Sequence, residues 1–202
     1  MATAVMATAF AAPIAEAKYV VVFQEIGGNV DEFGQGTLDL ADLTPAVGPG
    51  PSSEISVTPS QGVFESGDPG KPLELFSGVA GPNRFGPGDG GVTTEGSGDP
   101  IGISGMPGLE AVLVSPGYVS GTSLIEGSSY IDATFASLGM TPGTYVWSWG
   151  SGDHADTFTI EVAGSVEGSV PEASTWAMML VGFASLAYAG LRRKGRVRVI
   201  SA

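Results

Sequence analysis

The chain has 202 residues, no cysteine, and a formal net charge of −13. Five of its eight basic residues lie between Arg192 and Arg198, so Lys18 to Val170 holds 19 acidic residues against Lys18, Lys71 and Arg84, a net −16. Such a surface repels phosphate backbones and argues against nucleic-acid binding, and the missing cysteines exclude disulfides, thiolate metal sites and a cysteine nucleophile.

The first seventeen residues, MATAVMATAFAAPIAEA, form an apolar, alanine-rich run ending in Ala15-Glu16-Ala17. Small residues at that spacing suit a signal peptidase, so residues 1–17 are expected to be a signal peptide with cleavage before Lys18. The usual basic start is missing, since no Lys or Arg precedes Lys18. Either the true start lies upstream or this is a weak signal; the alternative to a signal is a disordered alanine-rich terminus.

Residues 18–164 are expected to be an exported domain, with 165–170 as a linker. Tyr19 to Ile26 and Thr37 to Leu40 are apolar runs around Gly27-Gly28-Asn29, a turn signal. Thr44 to Gly117 holds 17 Gly and 11 Pro in 74 residues, so it reads as loops carrying short strands at Glu54–Val57, Leu73–Phe76, Ile101–Ile103 and Ala111–Val114. Within it, Phe85 to Gly105 sets Asp89, Glu95 and Asp99 among glycines. Carboxylates with backbone oxygens suit Ca²⁺, yet neither an EF-hand nor a nonapeptide spacing is present, and a solvated loop is the favoured reading of 85–105.

Tyr130 to Phe135 alternates as a strand would. Thr141-Pro142-Gly143 fits a type II turn. After it, Tyr145, Trp147 and Trp149 share one strand face, and Phe158, Ile160 and Val162 share another, which predicts a hairpin around a polar loop at 150–156. The three aromatics could stack on sugar rings, but the same alternation marks an inward strand face, and the apolar partner strand favours core packing. His154 is the one histidine of the chain. A Ser-His-Asp reading lacks a serine in a G-x-S-x-G elbow, and one histidine without cysteine builds no ordinary zinc centre. No cofactor is expected, and no catalytic residue.

The tail reads differently. Ser174 to Leu191 carries no charge over eighteen residues, and at about 1.5 Å per residue a helix there spans about 27 Å, enough to cross a bilayer. The basic cluster that follows would hold its far end in the cytoplasm and place the acidic domain outside. A capping box, Ser169-x-x-Glu172, could open that helix.

Val170-Pro171-Glu172, Trp176-Ala177-Met178-Met179, Gly182-Phe183 and Arg192-Arg193-Lys194 together resemble the PEP-CTERM sorting signal of exported Gram-negative bacterial proteins, over 171–198. One position departs: Ala173 stands where that family usually has a second proline. The resemblance implies that Pro171, Glu172, Trp176, Arg192, Arg193 and Lys194 act as a sorting motif, with the membrane as a temporary anchor. It further implies processing near Pro-Glu by an exosortase, a membrane-embedded cysteine protease of transpeptidase type. The stretches YVVVFQEIGGNV, GYVSG, TFASLG and TPGTYVWSWGSG also resemble a module recurrent in PEP-CTERM proteins, one that implies no catalytic activity.

Strand spacing and Pro-Gly punctuation predict an all-β protein, an antiparallel β-sandwich with long Gly/Pro-rich loops, followed by one transmembrane helix at 174–191. The function expected is that of a non-enzymatic envelope, surface or matrix protein, with exopolysaccharide as a candidate partner. The alternative is a carbohydrate-binding module using exposed Tyr145, Trp147 and Trp149.

Overall fold

A computed structural model describes residues 18–47 and 50–164. The chain divides after Ser165, and every described residue lies in the first unit.

Among the described residues, thirteen strands form two sheets. In chain order they are β1 (Lys18–Ile26), β2 (Asn29–Gly36), β3 (Thr44–Pro45), β4 (Ile55–Thr58), β5 (Val63–Ser66), β6 (Glu74–Ser77), β7 (Gly91–Thr93), β8 (Gly96–Gly98), β9 (Ile101–Ser104), β10 (Ala111–Val114), β11 (Leu124–Tyr130), β12 (Gly143–Trp149) and β13 (Asp156–Val162). One sheet runs β12-β13-β1-β2-β11-β8 and the other β3-β6-β10-β9-β5-β4-β7. Their inner faces meet in one core. Phe23 of β1 packs edge-on against Phe64 of β5 with ring centroids 5.6 Å apart, and Phe64 also reaches Phe158 of β13 at 6.2 Å.

Alternation explains the core. Tyr19, Val21 and Phe23 of β1 and Phe158, Ile160 and Val162 of β13 are all buried, while the residues between them face outward. The short strands β9 and β10 are buried at every position, each flanked on both sides by strands of its sheet.

The sheets are not wholly antiparallel, which corrects the expected architecture. β1 and β13 pair in parallel, Tyr19 opposite Phe158 and Val21 opposite Ile160. Parallel neighbours need a long crossover, and the first and last strands have the whole domain between them.

The hairpin of β12 and β13 forms as predicted, with Trp147 opposite Phe158. Its entry differs: Gly143 has φ 157°, far from the roughly +80° a type II turn needs, so the chain simply bends into the strand. The partner of β1 is also displaced. It begins directly at Asn29 and ends at Gly36, before the Thr37–Leu40 run. Gly27 and Gly28, at φ 62° and 89°, supply the two positive-φ positions of a tight hairpin turn. The run from Tyr130 to Phe135 breaks rather than continuing as strand, because Asp132 turns at φ 53° and Thr134 caps a one-turn helix, α1 (Phe135–Leu138). Thr134 Oγ1 accepts from the Ser137 amide at 3.0 Å and Ser137 Oγ accepts from the Thr134 amide at 2.8 Å.

No helix among the described residues is long and apolar enough to cross a membrane. The expected span at 174–191 and the expected signal peptide at 1–17 lie outside the described residues.

Candidate functional site

β12 points Tyr145, Trp147 and Trp149 inward, and burial decides between stacking and packing. Trp147 is 0% exposed and Trp149 5%. Trp147 packs edge-on against Phe158 and Phe85 at 6.4 and 6.3 Å, and Trp149 donates its indole N–H to the Asp39 carbonyl at 2.6 Å. Tyr145 is partly buried against Phe85, and its hydroxyl donates to the Thr141 carbonyl at 2.9 Å. Stacking on sugars needs open ring faces, which neither tryptophan offers. The three-ring glycan platform is therefore not formed.

His154 sits in a one-turn 3₁₀ segment, Gly152–His154, on the hairpin loop. Its Nδ1 lies 2.7 Å from Asp39 Oδ2. That bond draws the imidazole above its ordinary pKa and the Asp39 carboxyl below its own. Asp156, almost wholly buried at the start of β13, accepts from the Asp39 amide and its own neighbour Thr157, both at 2.6 Å. Burial pushes its carboxyl up to about 6 despite those donors. The cluster orders the loop by linking it to residue 39. Among the described residues no serine or threonine hydroxyl bonds to the imidazole, so the arrangement has two members of a triad without the nucleophile.

The glycine-rich stretch 85–105 is divided between the sheets: β7 edges one and β8 the other. Its carboxylates go separate ways. Asp89 accepts from Ser60 Oγ at 3.2 Å, and Asp99 from the Ile125 amide at 2.9 Å. Glu95 instead borders an open cavity of about 670 Å³, whose other lining includes Glu54, Val92, Tyr130 and Ile131. Among the described residues no three His, Asp or Glu side chains converge in a way that could hold a metal ion.

One constellation was missed from the sequence. On the inner face of neighbouring strands β2 and β11 lie Glu32 and Glu126, 4% and 2% exposed. Tyr19 OH donates to Glu126 Oε1 at 3.2 Å, and Ser66 Oγ, from the opposite sheet, donates to Glu32 Oε1. Burial pushes Glu32 up to about 9, helped by its contact with Glu126, and burial raises Glu126 as well. Their Oε2 atoms, Ser128 Oγ and Tyr130 OH are buried without a partner. The signal was present in the alternation: Glu126 falls in phase with Leu124 and Tyr130, and Glu32 with Val30.

The sorting residues Pro171, Glu172, Trp176, Arg192, Arg193 and Lys194 lie outside the described residues, but comparison with known families reaches them. The PEP-CTERM protein-sorting motif matches residues 169–194. No curated protein and no solved structure matches the chain. The match supports export and sorting of the tail through an exosortase at the membrane.

Proposed function

We propose that the chain is a non-enzymatic protein of the cell envelope, surface or extracellular polysaccharide matrix, delivered by its PEP-CTERM tail and left there as a folded β domain. The observation that carries this reading is the motif match at 169–194, which covers Pro-Glu, the uncharged stretch and the start of the basic cluster in their required order. Each part has a physical task. The uncharged stretch 174–191 anchors the chain in the bilayer, Arg192, Arg193 and Lys194 fix its orientation, and Pro171-Glu172 stands just outside, within reach of a membrane protease.

The domain suits a passive role. Its net −16 between Lys18 and Val170 keeps it soluble and separate from other acidic polymers unless cations bridge them. His154 is engaged with Asp39 and has no hydroxyl nucleophile bonded to it among the described residues.

Replacing Pro171 and Glu172 together by Ala in a host that has an exosortase tests the sorting part. Unprocessed, membrane-bound protein should accumulate. Normal processing and release would refute the assignment. For the non-enzymatic part, any turnover by the purified domain that disappeared in His154→Ala would overturn it.

A further inference from the structure

Glu32 and Glu126 are buried in the core of an acidic domain, and the Oε2 atom of each, Ser128 Oγ and Tyr130 OH have no hydrogen-bond partner. Their placement follows from register. Ser128 stands opposite Glu32 and Gly34 opposite Glu126 on the paired strands β2 and β11, so the two carboxyl groups sit diagonally on the inner face. Gly34 makes the room: a β-carbon there would lie 1.8 Å from Glu126 Oε1 and 2.6 Å from Tyr19 OH. Tyr19 reaches over that gap from β1, and Ser66 reaches Glu32 from β5 of the other sheet.

The groups acting most strongly on the pair are each other, Tyr19, Ser66 and Ser128. Tyr130 of β11 feels both carboxyls, and Asp99, between β8 and β9, acts on Tyr19. None of these is a cation. Two adjacent carboxylates cannot both be charged in a dry interior without one. A single proton held between them resolves this, with Ser128 and Tyr130 as donors that can turn toward the remaining charge.

We propose that Glu32 and Glu126 share one proton and form an alkali-sensitive latch that ties β1, β2 and β11 of one sheet to β5 of the other. With the proton present, the chain of bonds from Tyr19 through Glu126 and Glu32 to Ser66 is continuous across the core. Loss of the proton puts two like charges in contact and breaks it. The sign follows from linkage. Glutamate in the unfolded chain ionises near 4.5, whereas Glu32 in the fold is held up to about 9. The stabilisation is complete below the lower value and is lost as pH rises through the window to the upper one. Within that window the folded state holds one more proton than the unfolded, so the folding equilibrium falls about tenfold per pH unit on this account alone.

The full chain in mild detergent, unfolded by urea between about pH 5.5 and 9.5, tests the latch against Glu32→Gln. Glutamine keeps the shape and donates to Glu126 without a titrating proton. The acidic surface gives both proteins the same background slope, so the difference between them isolates the latch. The folding equilibrium of the wild type should fall by about a further factor of ten per pH unit relative to the variant between pH 6 and 8.5. Equal slopes would overturn the proposal. Should Glu32→Gln fail to fold, infrared spectroscopy of the wild type decides: a protonated-carboxyl band persisting at pH 7.5 supports the latch, and its absence refutes it. A midpoint raised by Ca²⁺ and lowered by chelator, with both effects lost in Glu126→Gln, would mean that a metal ion occupies the site, and would also overturn it.

Discussion

Gly81 lies flat against the indole of Trp147, so close that a β-carbon at position 81 would sit 2.5 Å from Trp147 Cδ1 and 2.9 Å from its Cα. Gly105 approaches the same ring from another loop, its would-be β-carbon 3.0 Å from Nε1. The glycine-rich middle of the chain thus serves as the wall of the tryptophan pocket. Gly81→Ala should destabilise the domain by about 1–3 kcal/mol through overpacking, and Trp147→Ala by about 3–5 kcal/mol through the cavity it leaves. Urea unfolding measures both. Unchanged stability in Trp147→Ala together with lost glycan binding would restore the platform reading.

The same contact shows what the sequence could and could not reveal. Tyr145 to Val162 was legible because both strands alternate cleanly and each places large apolar groups on one face. β2 was not, since its inward positions are Val30, Glu32, Gly34 and Gly36: the carboxyl and the missing side chains remove the apolar period on which strand recognition rests. β7 and β8 are three residues each and glycine-rich, too short for any period to register. The parallel pairing of β1 with β13 joins residues well over a hundred positions apart, and no local pattern encodes it. The Glu32–Glu126 pair escaped for a related reason, because acidic residues in a strongly acidic chain are first read as surface.

His154 offers a direct titration. It is the one imidazole of the chain, and its bond to Asp39 raises its pKa above the ordinary 6.5. NMR of the ring protons should show a midpoint above that value, falling back toward it in Asp39→Asn. The link to folding has a fixed sign: what this pair adds to stability is present below pH 6.5 and is lost as pH rises through the folded-state midpoint. A midpoint at or below 6.5 in the wild type would show that the contact is absent in solution.

Cleavage after Ala17, expected from the sequence, is compatible with the fold. β1 begins at Lys18, and Tyr19 immediately after it is fully buried. Cleavage after Ala17 would leave the strand whole, whereas cleavage a few residues later would remove Tyr19 from the core. N-terminal sequencing of exported protein should therefore start at Lys18 or a residue or two before it. Recovery of intact Met1 on exported material would contradict this.

Deleting 174–202 should release a folded, soluble domain, since the buried residues of the described core all lie between Tyr19 and Val162. Such a truncation should keep the unfolding free energy of the intact chain, measured in urea, within about 0.5 kcal/mol, as expected of changes away from a core. A clear loss of stability would show that the tail contributes to the fold.

Mass spectrometry of the mature C-terminus on surface-exposed or released protein tests directly whether the tail is a temporary address. Processing predicts a chain ending near Pro171-Glu172, without the uncharged stretch and without Arg192 to Arg198. Surface protein that retains those arginines would make the tail a permanent anchor and contradict the sorting mechanism.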